Sequence, residues 1–507
     1  MNTNTNTSSK TLLTPRDGIT YLPHQEEGIR WMLSREAATA PVCRGGILAD
    51  DMGLGKTFQT IGLLKNSPLV GLRTLIVCPP ALIAGWTEEL RACGYFVASL
   101  MTSGGWTKPG ADAEKRDIIS LTTYPKVCMY RRAVAEAAFD RVILDEGHAI
   151  RNGKATSRWM SCMSVASSAT TRWILSATPV QNGPHDWRHL CWWLRVRCPA
   201  IDIPRLGTVI MLRRTMEELR ESIASLPPPP RFVAHNLSVP VGGAEQRLFH
   251  ALCDRLEAAL ENKHVKSFIK LELYLRIQQM LVHPQIYIDA MRNKFGPGYR
   301  RPDWTGTATK WEAFHAELLR AVADCAPVIV FCNFRNEMDR VAAAALSAGA
   351  SVWSVRGGMS ADAVGAAVTG ARDAATASAE EKVPVVVVVQ IVAGGAGLNL
   401  QFCKRILFLS QHWNPAVVHQ AVGRAVRIGQ PHVVEIHTFR IVDDVMDNLD
   451  RRMVEVHVGK IAAARSICDS LYAGFEKHKI TVSEEEPEEE EAEAEEEPED
   501  PQIVVAV

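Results

Sequence analysis

Hydrophobic positions along this chain form two alternating series, separated by a stretch of different character. In the first series, short apolar runs recur between helical stretches: GGILAD, TLIVCPP, DIISLTTY, RVILDEG and RWILSATP. That alternation predicts a doubly wound parallel sheet. SLPPPPR (Ser225 to Arg231) ends the series, because a run of prolines continues neither a helix nor a central strand. From about Glu245 to Tyr287 the pattern turns helical, as in EQRLFHALCDRLEAALEN, and KFGPGYRRPDWTGT reads as a loop. The second series runs KWEAFHAELLRAVADC (helix), PVIVFCNF (strand), NEMDRVAAAALSAG (helix), then SVWSVRGG, VPVVVVVQIV and RILFLSQ as strands. VPVVVVVQIV is the most apolar run, short and β-branched, and reads as a strand covered on both faces. DDVMDNLDRRMVEVHVGKIAAARS reads as helical and closes the series.

The expected class is therefore α/β: two parallel-sheet lobes with a helical connector or protrusion region between them. The boundaries expected are a disordered N-terminal segment over 1–15, a first lobe over 16–230, the connector over 231–307, a second lobe over 308–465, and a C-terminal segment over 466–507. The last carries an acidic tail whose composition predicts disorder.

Composition narrows the class. A chain of 507 residues, 47% hydrophobic, has room for two or three domains with sizeable cores. No stretch reaches the roughly 18 consecutive apolar residues of a membrane helix. The N-terminus, MNTNTNTSSK, lacks the apolar run of a secretory signal. The 12 cysteines form no C-x-x-C pair and no Cys/His group with zinc-ligand spacing, so no structural zinc is expected. Cys78 and Cys332 sit in apolar runs, as thiols do in the cores of proteins from reducing compartments. The net charge of −1 conceals a division: SEEEPEEEEAEAEEEPED holds 13 acidic residues, and without it the chain carries +12. A basic body with an acidic tail suits a polyanion-binding protein, although a plain solvated tail explains the tail as well.

The candidate chemistry begins at ILADDMGLGKTFQTI. Gly53 and Gly55 let the backbone curl around a phosphate, Lys56 offers a point charge, and Thr57 offers a hydroxyl to Mg²⁺. A usual phosphate-binding loop opens on glycine, and here Asp50 stands in that place. In RVILDEGHAIRN, Asp145 and Glu146 follow an apolar strand, where one carboxylate can hold a metal and the other can polarise a water. Gln25, in YLPHQEEGIRWM, can both donate and accept at an adenine edge. QAVGRAVRIGQ reads as a helix in which Gln420, Arg424 and Arg427 share a face. Arginines so placed can stabilise charge on a transferring phosphoryl group, and an exposed basic helix accounts for their spacing too. AGGAGLNL permits close backbone approach to a phosphate, of nucleotide or nucleic acid.

Taken in order, these stretches closely resemble the Swi/Snf-related DNA-dependent ATPases of the second helicase superfamily. The resemblance runs from about Gly18 to Arg465. It rests on LPHQEEGIRWM, ILADDMGLGKTFQTI, LIVCPPALIAGW, LTTY, ILDEGHAIRN, LSATPVQN, MLRR, LRIQQMLVHP, VIVFCNF, AGGAGLNLQ and HWNPAVVHQAVGRAVRIGQ. The resemblance implies two RecA-like lobes with ATP and Mg²⁺ between them and double-stranded DNA across both. It implies ATP contacts at Gln25, Asp50, Asp51, Met52, Gly53, Leu54, Gly55, Lys56, Thr57 and Gly397, with Thr57 and Asp145 at the metal. Lys56, Asp145, Glu146, Arg424 and Arg427 are the implied catalytic set, and Thr178 and Trp413 are candidates for DNA contact. Asp at the first loop position is usual in that family. Asp51 replaces its glutamate, Gly147 replaces the alanine of D-E-A-H, and SATP replaces its more usual G-T-P form. The implied activity is an ATP-dependent double-stranded DNA translocase that remodels protein–DNA complexes, chromatin included. Histones or other DNA-bound proteins are candidate partners, with the nucleus, or a viral nucleic-acid compartment, as the location. The alternatives are a strand-separating helicase on DNA or RNA, and a scaffold that kept the fold without turnover.

Overall fold

The computed structural model describes residues 11–441, apart from 17, 39–43, 69–70, 101–104, 108–117, 182, 197–208, 378–382 and 395–397. The expected final helix, the acidic tail and Gly397 lie outside the described residues, as does most of the expected N-terminal segment.

Two sheets organise the chain. The first contains β1 (Arg44–Leu48), β2 (Thr74–Cys78), β3 (Phe96–Ser99), β4 (Ile118–Thr123), β5 (Arg141–Asp145), β6 (Thr171–Leu175) and β7 (Met211–Leu212), in the order β3-β4-β2-β5-β6-β1-β7. The second contains β8 (Arg231–Leu237), β9 (Val328–Cys332), β10 (Ser351–Val355), β11 (Val385–Gln390), β12 (Arg405–Phe408) and β13 (Glu435–Ile441), in the order β10-β11-β9-β12-β13-β8. Every strand pairing in both sheets is parallel. These are two α/β lobes, each built on an all-parallel sheet.

The apolar runs explain the sheets. Along β11, Val385, Val387 and Val389 enter one core and Val386 and Val388 the other, so the valine run is buried on both faces. In the first sheet, β2 splits likewise: Leu75 and Val77 pack on one side, Ile76 and Cys78 on the other. Helices Ala244–Glu261, Ser267–Val282 and Pro284–Phe295 share a core of their own, which includes Val239, Leu252, Ile277 and Ile441 and takes in Trp413 at its margin. Ile441 ends β13, so this core is continuous with the second sheet.

One element departs from the sequence reading. Residues 231–237, grouped there with the helical connector, form β8 at the edge of the second sheet, paired with β13 along its whole length. The strand follows directly on the prolines, and one of its faces is exposed, so it has no apolar run to announce it. Its partner lies about two hundred residues downstream, beyond any local pattern.

In open parallel sheets, ligands bind outside the carboxyl ends of the strands, where neighbouring connections diverge. In the first sheet β6 lies between β5 and β1, with Leu175 opposite both Asp145 and Leu48. That register brings the loop after β1 and the acids after β5 to the same sheet end.

Candidate functional site

The loop after β1 curls back through Gly53 (φ +90°) and Gly55 (φ +85°) before helix Lys56–Asn66 begins. Both glycines are needed for more than their φ values. A Cβ on Gly53 would lie 3.0 Å from Arg427 Cα, and one on Gly55 would lie 2.4 Å from Gln25 Nε2. Lys56 Nζ donates to the carbonyls of Asp50 (2.7 Å) and Asp51 (3.2 Å), which holds the ammonium over the loop. Thr57 follows in the first turn, half-buried. Leu54 is fully buried against Ile223 and Leu226, and Met52 lies beneath Gly423. Gln25 donates from Nε2 to the Leu54 carbonyl (3.2 Å) and accepts from Leu22 N–H (3.1 Å), so its amide ties the helix start to the loop.

Asp50 has a different task from the one its position in the loop implies. Its carboxylate is completely buried and takes Arg214 Nε at 3.1 Å, Arg214 Nη2 at 2.6 Å and Gln59 Nε2 at 2.9 Å. Arg214 also binds the His24 carbonyl, and Glu27 at 3.1 Å. A buried carboxylate is tolerable with such a forked partner and costly without it. Only the backbone carbonyl of Asp50 meets Lys56. The Asp51 carboxylate accepts from Met216 N–H at 3.1 Å, so it too fastens the loop to the 211–219 segment.

The acid pair closes β5. Asp145 Oδ2 accepts from Trp86 Nε1 (2.8 Å), Oδ1 accepts from Glu146 N–H (3.0 Å), and its carbonyl accepts from Tyr124 OH (2.8 Å). Glu146 sits at φ +51°, a left-handed conformation costing a side-chain-bearing residue on the order of 1–3 kcal/mol. It contacts His148 Nδ1 at 3.3 Å, and that same nitrogen is 3.2 Å from Ser176 Oγ. Burial and the charge of Glu146 push the Asp145 carboxyl up to about 6, with Trp86 and Lys56 opposing. Burial would raise Glu146 also, but His148, Lys56 and Arg424 outweigh it and hold the carboxyl below its ordinary range. Gly147 has a steric reason: a Cβ there would lie 2.6 Å from Ile174 Cγ2.

From the second sheet come Arg424 and Arg427, though not on a helix. Helix Pro415–Val422 stops before both, so the expected helix over 420–430 is corrected and the shared-face argument does not apply. The cause is close packing. Gly423 lies against Met52, with a Cβ there only 2.5 Å from Sδ, and Gly429 turns the chain at φ +92°. Gln430 Nε2 then donates to the carbonyls of Gln401 (2.6 Å) and Cys403 (3.1 Å), while Leu400 N–H binds the Arg424 carbonyl (3.1 Å). This irregular turn brings Arg427 directly onto Gly53. Burial lowers Arg424 to about 10, against the opposing pull of Glu146. A second bridge between the sheets runs from Asn414 Nδ2 to Gln181 Oε1 at 2.9 Å.

Of the two candidate DNA residues, Thr178 is half-buried and accepts from Gln181 Nε2 at 3.1 Å. Trp413 is half-buried, edge-on to Tyr274 with centroids 5.9 Å apart, as a packing residue is. Sequence reasoning did not single out Trp86, His148, Arg214, Gln181 or Asn414. Trp86 and Arg214 stand in the stretches LIVCPPALIAGW and MLRR, yet no local pattern says which distant carboxylate each meets.

Comparison with known proteins agrees with this geometry. Residues 24–198 match the SNF2-related domain and residues 309–429 match the helicase conserved C-terminal domain. A probable global transactivator of Orgyia pseudotsugata multicapsid polyhedrosis virus is 26% identical, covering 91% of this chain and 94% of the viral one. The putative ATP-dependent helicase/translocase YwqA of Bacillus subtilis is 24% identical over 85% of this chain. The SWI/SNF-related matrix-associated actin-dependent regulator of chromatin subfamily A member 1 of Mus musculus is also 24% identical over 85% of this chain. The chain spans less than half the length of these two cellular relatives, 47% and 42%. With both domains matched in order, one on each parallel-sheet lobe, the chain belongs to the SWI2/SNF2-related family of ATP-dependent, helicase-like ATPases.

Proposed function

We propose that this chain is an ATP-driven translocase on double-stranded DNA that hydrolyses ATP between its two sheets. The observation that carries the reading is the direct meeting of the Gly53 turn with Arg427. In this reading Lys56 and the loop N–H groups neutralise the β- and γ-phosphates, and Gln25 meets the adenine edge. Glu146 orients and deprotonates the attacking water, and Arg424 and Arg427 stabilise charge on the transferring group.

The residues present also fit Mg²⁺. Asp145 and Glu146 are adjacent carboxylates, the first buried and raised by burial and by the charge of the second, and Glu146 Oε2 is a buried oxygen met by His148 Nδ1 at 3.3 Å. Thr57 and Asp145 would hold the ion, which when bound supplies positive charge to the phosphate oxygens.

Duplex DNA is supported by the basic body and by the relatives, one described as a helicase/translocase and one as a regulator of chromatin. A groove of about 410 Å³ lined by Arg276, Asn293, Asn333, Arg335 and Gln390 offers charge and amides of the kind that bind phosphate oxygens. Remodelling of protein–DNA complexes in the nucleus, or in a viral nucleic-acid compartment, with histones or other DNA-bound proteins as partners, extends this reading.

The SATP segment favours one other reading, a strand-separating helicase. A displacement assay divides them. Translocation predicts ATP-dependent release of a third strand from a triplex, with the underlying duplex left paired. Separation of the duplex strands would overturn it.

A further inference from the structure

Away from the cleft, β8, β13 and helix Thr309–Ala323 bring together His235, His437 and Glu317. We propose that these three side chains form a site for a divalent transition-metal ion, zinc by preference, which fastens the edge strand β8 to the second lobe. This goes beyond the ATPase reading and does not depend on it.

The geometry is that of a ligand set. One ligand atom from each residue lies within 4.8 Å of the others. His235 Nε2 is 3.0 Å from His437 Nδ1, and His437 Nδ1 is 3.7 Å from Glu317 Oε1. Ligands at zinc distances from a tetrahedral centre are separated by roughly 3.4 Å, between those two values. Two imidazoles and a carboxylate are a donor set that zinc accepts, with a water as fourth ligand. His235 is half-exposed on the edge strand, which leaves a side open for that water.

The surroundings agree. His437 is 6% exposed, and its Nε2 has no hydrogen-bond partner. That nitrogen lies 3.8 Å from Glu435 Oε2, so with Nδ1 on a metal its N–H would face a carboxylate, as a ligating histidine requires. Arg320 binds the other oxygen of Glu317 and leaves Oε1 towards the imidazoles. Arg405, 3.9 Å from Oε1, has its charge met by Asp324 at 3.1 Å and Glu435 at 3.3 Å. The ligands come from three distant segments, so no local Cys/His spacing announces them.

The test is zinc content and affinity of the full chain, stripped with a chelator and titrated with Zn²⁺ under reducing conditions. Free thiols take up zinc non-specifically, so the comparison is with His235→Ala and Glu317→Gln. The wild type is expected to hold one more zinc per chain than either variant, with a zinc-dependent rise in Tm that both lack. Glu435→Gln should weaken that site by about tenfold or more. Equal zinc content in the wild type and in His235→Ala, a variant at a half-exposed position, would overturn the proposal even if Glu317→Gln failed to fold.

Discussion

Asp50 and Gly53 stand three residues apart in one loop and are held by opposite demands. Asp50 needs a partner, and its forked bond with Arg214 makes the usual loop glycine unsuitable here. Asp50→Gly would make the loop look more ordinary but take from the buried Arg214 its one buried carboxylate among the described residues, leaving it the exposed Glu27 and neutral acceptors. We expect a loss of about 3–5 kcal/mol in denaturant unfolding, the usual cost of breaking a buried pair. Gly53 needs space. Gly53→Ala adds a Cβ at φ +90° against the Arg427 backbone, which cannot yield as a side-chain tip would. The account predicts roughly a 10²-fold fall in ATP hydrolysis with the fold retained, since misplacement by about an ångström costs that much. His283 carries a pH signature. Its Nδ1 accepts from Gln285 N–H at 3.0 Å and caps helix Pro284–Phe295, while burial, with Arg340 nearby, lowers its pKa to about 4. The native state thus excludes a proton that the unfolded chain takes up near pH 6.5. This stability is present above about 6.5 and is lost as pH falls towards 4. Tm should fall more steeply over that window in the wild type than in His283→Asn.

At the scale of elements, what could be read in the sequence depended on burial. β11 and β2 were legible because both their faces are covered and both read as apolar runs. β8 was not, since one of its faces is exposed and its pairing with β13 is set by distant chain. The end of helix Pro415–Val422 was also hidden: periodicity continued through Arg427, but packing of Gly423 on Met52 stops the helix. The loop, the acids and the two arginines were legible as residue types in order. Their partners Trp86, His148 and Arg214 were not, because those contacts exist only once β1, β5 and β6 are aligned. Gly423→Ala tests the helix stop. The added methyl meets Met52 and favours continuing the helix, which would turn Arg424 and Arg427 away from the loop. Hydrolysis should fall while nucleotide binding, measured by fluorescent analogue, changes less.

At the scale of the whole molecule, the sheets meet through Gly53 and Arg427, Met52 and Gly423, and Gln181 and Asn414. A site divided in this way can link hydrolysis to relative movement of the lobes, and in the proposed reading the basic body is what contacts the DNA track. Such contact is with phosphates, so stimulation by nucleic acid should fall steeply with added salt while basal hydrolysis changes little. The most direct test is ATP hydrolysis measured without nucleic acid, with single-stranded DNA, with duplex DNA and with RNA, using Lys56→Ala as the blank. The account predicts strong stimulation by duplex DNA that disappears in Lys56→Ala. Stimulation by single strands or RNA alone, or hydrolysis that survives Lys56→Ala, would contradict it.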